Sequence, residues 1–281
     1  MKRPVPAASP DRGDQTIRVP GYSYLPRFIT TEEADQLGTF FAGLRPLWEE
    51  RYAPDDPKKR GAAGRLTRPV YWLGAWQFAS LGYYAEPDHL VDRCLRAEPL
   101  PPVMNAVLQR LRTELALHDE QERLPNTCLI NYYGRERPVE GGPPLDYARL
   151  RMHRDAEPGP VVMFSVGQPA QFEFVEPSAE TPQHSQWVRH RSIVILSGPE
   201  YKDRLYHRVT RVRYGQQPVL GSQLDGFEVR RVSVSFRYVP ERYIQDLCDL
   251  GDRARSIALP YVQQLAEGSQ HYRAQLVALD R

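Results

Sequence analysis

The sequence has few cysteines, little net charge and no long apolar run. Its three cysteines lie far apart among 281 residues, so they predict neither a disulfide framework nor a cysteine-based zinc site, and they suit a reducing cytoplasm. No apolar stretch approaches the roughly 18–20 residues that a membrane span needs. The N-terminus also lacks the apolar segment of a secretory signal. We therefore predict a cytoplasmic protein with no membrane partner.

The basic residues are clustered although the net charge is only +2. Residues 58–68 contain five basic residues and no acidic one, and the stretch from Arg204 to Arg213 contains four arginines. Clusters of this kind can contact phosphates. A solvated surface loop explains a lone basic run at least as well.

By composition and periodicity the chain divides into four segments within one expected domain. The first segment has no periodicity and predicts a disordered tail. The second opens with a short strand and a helix, whose start at Thr30 and Glu33 has the pattern of a capping box, and it contains an amphipathic helix at 100–117. The fourth returns to helical spacing, with a break at Pro260. In chain order the segments are residues 1–20, 21–126, 127–241 and 242–281.

The third segment, residues 127–241, differs from the others in its residue pattern. Short β-branched runs separated by turn residues follow one another there, which is typical of an antiparallel sandwich or jelly roll. The runs are TCLINYY, VVMFSVG, QFEFV, RSIVILSG, LYHRVTRV and RRVSVSFRYV. We predict a mainly β protein with a jelly-roll core and flanking helices.

His153 and Asp155 are the first candidate metal ligands. Residues i and i+2 of an extended segment point to the same face, so both side chains can reach one ion. A single His-x-Asp triplet is weak evidence in a chain with seven histidines, and a polar strand end would also explain it.

A third ligand must come from a later histidine, and His184, His190 and His207 compete. His184 lies in a predicted loop, and His190 precedes an apolar strand. His207 opens the strand after a turn, and strands distant in sequence meet at the mouth of a jelly roll. This favours His207 over His190. Two histidines and one carboxylate leave positions open for O2 and a bidentate oxo acid, which suits Fe(II).

An arginine-containing strand follows near the end of the β-rich segment. Its sequence alternates, so that Arg231, Ser233, Ser235 and Arg237 share one face. An arginine inside a small barrel is costly unless a carboxylate pairs with it, and a dicarboxylic cosubstrate would supply one through bidentate hydrogen bonds. The alternative is an ordinary polar face turned to solvent, and the periodicity allows both.

Five motifs in this order resemble the AlkB family of 2-oxoglutarate-dependent alkylation-repair dioxygenases. They lie between Thr127 and Tyr238: CLINYY at 128–133, HRD at 153–155, FSVGQPAQF at 164–172, IVILSGP at 193–199 leading to YH at 206–207, and RVSVSFR at 231–237. The resemblance implies a double-stranded β-helix, in agreement with the jelly-roll prediction. The chain departs from the family in an apparent insertion between Asn131 and His153, and in Ser233, where some relatives have asparagine.

The resemblance also implies individual roles and the cofactors Fe(II), 2-oxoglutarate and O2. The implied Fe(II) ligands are His153, Asp155 and His207. The implied 2-oxoglutarate contacts are Asn131, Tyr133, Arg231, Ser233 and Arg237, with Arg231 on the distal carboxylate and Arg237 near the metal end. Glu157 stands where relatives place an acidic residue that reads the target base.

The segment 65–84 corresponds to the region where relatives carry a nucleotide-recognition lid. Basic and aromatic residues occur together there, and such a mixture can bind single-stranded nucleic acid or a flipped base. The candidate substrate contacts are Arg65, Arg68, Tyr71, Trp72 and Trp76, with Tyr83 and Tyr84 beyond them. Core packing explains an aromatic stripe equally well.

The resulting hypothesis is oxidative removal of N-methyl groups from nucleic-acid bases, with release of succinate, CO2 and formaldehyde. The same oxygenase chemistry on a protein side chain or a small metabolite is an alternative, because fold and metal site do not fix the substrate. A non-catalytic jelly-roll binding module is a third possibility. It requires that His153, Asp155 and His207 do not converge in space.

Overall fold

A computed structural model of the chain describes most of its residues and divides them into two compact units. The described ranges are 15–49, 68–77, 94–114, 124–137, 142–143, 145–155, 157–176, 178–179, 181–213 and 220–279. The first unit comprises the residues through Gly43, Asn131–Asp155 and Gly159–Ser235, and the second comprises Leu44–Ile130, Ala156–Pro158 and Phe236–Arg281. Each unit thus combines stretches that are distant along the chain. The division into four consecutive segments within one domain stays a prediction.

Fifteen strands and four α-helices lie within the described residues. In chain order they are β1 (Ile17–Val19), β2 (Tyr22–Leu25), α1 (Thr31–Gly43), β3 (Val70–Leu73), β4 (Ala75–Gln77), β5 (Cys94–Arg96), α2 (Pro102–Glu114), β6 (Thr127–Glu136), β7 (Leu145–Tyr147), β8 (Leu150–His153), β9 (Val161–Gly167), β10 (Ala170–Val175), β11 (His184–Val188), β12 (Ile193–Leu196), β13 (Tyr206–Val212), β14 (Phe227–Arg237), β15 (Ile244–Gln245), α3 (Asp252–Ala266) and α4 (Gln270–Leu279).

The first unit is built from two sheets around one hydrophobic core. Strands β1, β2, β12, β9, β14 and β6 lie side by side in that order, with β7 paired to β6, and a second sheet has the order β11-β10-β13-β8. Alternate residues of both sheets are buried between them, as in a sandwich. The core includes Tyr22, Tyr24, Tyr133, Val161, Phe172, Phe174, Val194, Val209 and Val212. The predicted mainly β, jelly-roll class is confirmed.

The N-terminal hairpin shows that ordered structure starts earlier than predicted. Strand β1 pairs antiparallel with β2, and Val19 lies opposite Tyr22. The two residues between them are Pro20 and Gly21, and Gly21 has a φ of 82°, which glycine adopts without strain. The predicted disordered tail at 1–20 is therefore wrong for its last residues, because the turn brings them onto β2.

Helix α1 begins with the predicted capping box. The Thr30 amide donates to the Glu33 carboxylate at 2.9 Å, and the Glu33 amide donates to the Thr30 hydroxyl at 3.1 Å. These reciprocal bonds satisfy donors that the first helical turn leaves free. The helix packs its buried residues Ala34, Leu37 and Phe41 inward and ends at Gly43.

Strand β13 contains a bulge. Arg211 pairs with Gln171 of β10 while Val209 pairs with the adjacent Phe172, so Thr210 is an extra residue. A bulge of this kind shifts the inward–outward alternation by one residue. As a result Val209 and Val212 both lie in the core, and Arg211 points away from it.

The second unit combines a small sheet with helices. Strand β4 pairs antiparallel with β5, and β15 pairs parallel with β5. Between β3 and β4 the chain turns at Gly74, whose φ is 77°; a Cβ there would lie 2.0 Å from the Asn126 carbonyl oxygen. Only glycine fits this close approach between backbones.

Helix α3 runs through Pro260 without a break, from Asp252 to Ala266. The predicted break at Pro260 is therefore wrong. The helical region starts at Asp252, after strand β15, and from there it is interrupted only between α3 and α4. Proline removes one helical hydrogen bond, but Ala258 and Val262 on either side of it are fully buried. Packing of this face offsets the lost hydrogen bond.

Among the described residues, no helix has the length and apolarity to cross a membrane.

Candidate active site

Two histidines face each other across neighbouring strands of the first unit. His153, at the end of β8, lies directly opposite His207 of β13, with ring centres 4.2 Å apart. Asp155 lies two residues after His153, and its Oδ2 is 3.3 Å from His207 Nε2. Ligand atoms of all three residues lie within 4.8 Å of one another, and the residues are only 9%, 7% and 3% exposed for His153, Asp155 and His207. The structure therefore brings together the three predicted ligands.

The ring of His153 is oriented by the backbone. Its Nδ1 lies 2.9 Å from the Arg151 carbonyl oxygen. Because a carbonyl only accepts, Nδ1 carries the proton and donates, which leaves the Nε2 lone pair for a metal ion. A backbone carbonyl in this position is a common support for a metal-binding histidine.

Two neighbours hold the other ligands, and neither was predicted from the sequence. Lys202, buried in the π-helical turn Pro199–Arg204, donates from Nζ to the Asp155 carbonyl oxygen at 2.7 Å. Phe172 of β10 stacks on the His207 ring, with centres 5.4 Å apart and planes at 27°. A lysine in a polar turn gives no periodic signal, so only the folded contact reveals Lys202.

The competing histidines lie elsewhere in the first unit. His184 is on β11 and is separated from His207 by Phe174, which pairs with both. His190 accepts a hydrogen bond at Nδ1 from the Gly167 amide at 3.2 Å. Within the described residues the only His, Cys, Asp and Glu cluster suited to a metal is that of His153, Asp155 and His207.

A buried arginine lies on β14 within a polar group. The Arg231 side chain donates from Nη2 to the Ser165 hydroxyl at 2.8 Å, and its Cζ lies 4.9 Å from the centre of the Tyr133 ring. Asn131 Nδ2 lies 3.5 Å from the Ser233 carbonyl oxygen. Arg231 is only 3% exposed. Adjacent strands thus bring together four of the five residues expected to contact 2-oxoglutarate, and their donors fit a ligand that carries a carboxylate.

The fifth of these residues, Arg237, forms a buried ion pair in the second unit with Glu157, the predicted base contact. Arg237 Nε lies 3.5 Å from Glu157 Oε1, and the side chains are 3% and 6% exposed. Each charge therefore has an opposite charge beside it, as burial demands. The Glu157 carboxylate is an acceptor whose orientation Arg237 fixes.

Comparison with known proteins decides the family. The sequence model of the 2OG-Fe(II) oxygenase superfamily matches residues 21–237, which is most of the chain. The chain belongs to this superfamily. No curated protein matches it significantly.

The fold of this oxygenase is also seen in a solved structure. OsALKBH1 superimposes with a TM-score of 0.53 at 17% identity, over 80% of this chain and all of that one. An oxidoreductase of the 2OG-Fe(II) oxygenase family from Burkholderia pseudomallei matches at 14% identity with a TM-score of 0.44, over 78% of this chain and 85% of the other. The predicted likeness to AlkB-type oxygenases is thus confirmed in superfamily and fold.

The 2OG-Fe(II) oxygenases use Fe(II), 2-oxoglutarate and O2, and the side chains of this member fit these requirements. Two imidazoles and a carboxylate converge in the arrangement typical of non-haem Fe(II) oxygenases. The chain is therefore a 2-oxoglutarate-dependent dioxygenase. The alternative of a non-catalytic binding module is excluded, because it required that these three ligands fail to converge.

The predicted base-stacking residues of the oxygenase are core residues of the second unit. Tyr71, Trp72 and Trp76 are 5%, 5% and 1% exposed, and Arg68 is also buried. Both indole N–H groups donate to Glu49 Oε1, at 2.8 Å and 2.5 Å. The Tyr71 hydroxyl donates to Glu98 at 2.7 Å. The interpretation of these rings as an exposed stacking surface is therefore replaced by core packing. Arg65, Tyr83 and Tyr84 lie outside the described residues.

Proposed function

We propose that this oxygenase removes N-methyl groups from the bases of nucleic acids, releasing succinate, CO2 and formaldehyde. The observation that carries the proposal is the convergence of His153, Asp155 and His207 within a chain whose five ordered motifs resemble the AlkB family. The shared fold with OsALKBH1 supports it at the level of architecture.

The protein residues would hold the reactants and exclude water. His153 Nε2, the Asp155 carboxylate and His207 Nε2 would bind Fe(II), and Arg231 would pair with the distal carboxylate of 2-oxoglutarate. Asn131, Tyr133 and Ser233 would line that cosubstrate, with Arg237 toward the metal end. When bound, Fe(II) with 2-oxoglutarate and O2 supplies the oxidation of the methyl carbon.

Burial of the ligands restricts the form of the substrate. All three ligands are less than a tenth exposed, so a base stacked in a duplex could not bring its methyl group to them. The base must be flipped out or belong to a single strand. Glu157 is proposed to accept a hydrogen bond from that base, because its carboxylate is buried and oriented by Arg237.

The test is to supply purified protein with Fe(II) and 2-oxoglutarate under anaerobic conditions, then to admit O2 with and without a methylated oligonucleotide. Succinate and formaldehyde are followed together. We expect the oligonucleotide to stimulate both products in equal amounts, and the His207→Ala variant to form neither.

Two results would contradict the proposal in different places. Succinate formation that no methylated nucleic acid stimulates would indicate that the substrate is a protein side chain or a small metabolite. Absence of succinate from folded, iron-loaded protein would contradict the assignment of the cosubstrate site.

A further inference from the structure

The outer face of the four-stranded sheet in the first unit carries an ordered row of polar and aromatic side chains. Gln171 of β10 pairs with Trp187 of β11 on one side and with Arg211 of β13 on the other. Its neighbours Ala170 and Phe172 are buried in the core. Because successive residues of a strand alternate between faces, the row Trp187–Gln171–Arg211 points away from the core.

The side chains in this row are interlocked. Arg211 Nε donates to the side-chain oxygen Oε1 of Gln171 at 2.7 Å, and Gln171 Nε2 donates to the Ser185 hydroxyl at 2.9 Å. The guanidinium of Arg211 lies 5.2 Å from the Trp187 ring centre, and that of Arg213 lies 4.8 Å from it. Two exposed cations are thus held by one indole before any ligand binds, so less side-chain entropy is lost on binding.

These two arginines differ from the other two in the Arg204–Arg213 stretch. Arg204 forms ion pairs with Glu176 and Glu200, and Arg208 pairs with Glu173 at 2.8 Å. Over the described ranges, no ion pair involves Arg211 or Arg213. The positive charges available to a ligand are therefore those of Arg211 and Arg213, at the C-terminal end of this stretch.

A second cation and aromatic ring lie at the metal end of the same strand. The exposed Arg154 places its Cζ 4.9 Å from the centre of the Tyr206 ring. Arg154 stands between the metal ligands His153 and Asp155, and Tyr206 precedes His207. From Tyr206 to Arg213 an extended strand spans about 23 Å, so the two cation–aromatic groups bracket the outer face of β13.

We propose that this outer face binds the phosphodiester backbone of single-stranded nucleic acid. The residues Arg154, Tyr206, Trp187, Arg211 and Arg213 are called the arginine stripe. Guanidinium groups match phosphate oxygens through paired N–H donors, and guanidinium planes that lie over aromatic rings can in turn stack on bases of any sequence. The inference rests on the proposed function, because the bound strand is taken to be the one that carries the target base.

The pairing of charge and ring favours nucleic acid over an acidic protein segment. An acidic peptide needs cations alone, whereas each end of the stripe combines a guanidinium with an aromatic ring. The stripe also lies on the sheet whose inner face carries His153 and His207. A nucleic-acid strand bound along the arginine stripe therefore reaches the edge of the four-stranded sheet that holds the metal ligands.

The test is fluorescence anisotropy of a labelled, unmethylated oligonucleotide of about 12 nucleotides, a length within single-strand site sizes. The whole 281-residue chain is used, without iron or 2-oxoglutarate. The variant is Arg211→Gln with Arg213→Gln. The control is Arg242→Gln with Arg253→Gln, which removes the same charge from exposed residues of the second unit, where Arg242 also lies over a ring, that of Tyr243.

We expect the stripe variant to bind about tenfold more weakly and the control to bind within about twofold of the wild type. Each lost phosphate contact lowers the slope of log K against log salt by about 0.7, so the stripe variant loses about 1.4. Thermal unfolding of both variants at the wild-type temperature confirms that they fold.

Three outcomes would overturn the inference. They are equal weakening in both double variants, no weakening in the stripe variant, and polyglutamate displacing the oligonucleotide as well as unlabelled single-stranded DNA does. Failure of the proposed function gives a different pattern. In that case the stripe binds the oligonucleotide with the expected dependence, but no methylated base stimulates succinate and formaldehyde.

Discussion

His153 and His207 occupy directly opposite positions in the β8–β13 pair, with their ring centres 4.2 Å apart. Their proximity is set by the register of two strands rather than by a loop. The neighbouring Asp155 backbone is held by Lys202. The ligand geometry is therefore expected to form with the sheet, before any metal binds.

Substitution of His207 by alanine should abolish metal binding without unfolding the protein. A metal ion that binds only the folded state contributes about 2.7 kcal/mol at a hundredfold excess over its Kd. We expect Mn(II), a redox-stable substitute for Fe(II), to raise the Tm of the wild type and not that of His207→Ala. His190→Ala is the control, because His190 lies outside the cluster, and it should respond like the wild type. A Tm shift that persists in His207→Ala would contradict the ligand assignment.

Substitution of Arg231 by glutamine should weaken 2-oxoglutarate binding. A buried charge pair that loses one partner typically costs about 2–5 kcal/mol, which corresponds to a rise in Kd of about thirtyfold or more. Calorimetric titration of 2-oxoglutarate into the Mn(II)-loaded protein measures this. Arg230→Gln is the matched control on the same strand, since Arg230 pairs with Glu228 and, as the residue before Arg231 in a strand, points to the opposite face. Equal affinities in the two variants would count against the role of Arg231.

Lys202→Met should lower metal affinity by about tenfold while leaving the ligands in place. Loss of a contact that orients a ligand commonly costs metal affinity 10–100-fold, and Lys202 holds the backbone of Asp155. Direct Mn(II) titration is the readout. Arg204→Gln, in the same turn but exposed, should keep wild-type affinity, and equal losses in both variants would show only that the turn is disturbed.

Glu49 should be important for the stability of the second unit. Its carboxylate accepts hydrogen bonds from the indoles of Trp72 and Trp76. Glu49→Ala leaves two buried N–H groups without this acceptor, and we expect a loss of about 3 kcal/mol in the free energy of unfolding. Glu49→Gln keeps one carbonyl oxygen and should lose less. Urea unfolding measures both, and an unchanged midpoint for Glu49→Ala would refute the argument.

His184 should contribute to a loss of stability in acid. Burial lowers its pKa below the usual 6.5 because the charged imidazole is disfavoured. Below about pH 6.5 the unfolded chain therefore binds more protons than the folded one, so stability falls as pH falls and levels off below the folded pKa. Replacement with phenylalanine should flatten the dependence of Tm on pH between about 5 and 7. His190, whose pKa burial also lowers, should account for part of the remaining slope.

The metal ligands could be predicted because their signal is local or follows from strand order. His153 and Asp155 are two residues apart, and His207 opens a strand, so the amino-acid sequence by itself favours His207 among the competing histidines. The decisive fact, that His207 lies opposite His153, depends on strand register. Register is set by the packing of the whole sheet and has no local sequence signal.

The aromatic residues at 71–76 show where a sequence pattern is not sufficient to predict a binding surface. Tyr71, Trp72 and Trp76 lie on short strands of the second unit, and their partners Glu49 and Glu98 are more than twenty residues away. A run of aromatic residues fits a core and a binding surface equally well until those partners are known. The same reasoning applies to Pro260, where packing of α3 overrides a local helix-breaking signal.

The extra residue at Thr210 makes the length of β13 adjustable at one point. Val209 and Arg211 already lie opposite adjacent residues of β10, so deletion of Thr210 would leave a regular pair in which Arg211 still points outward and Val212 still faces the core. Deletion of Arg208, where the ladder is regular, would instead turn Val209 outward. The strand should therefore tolerate the loss of one residue at the bulge and not next to it.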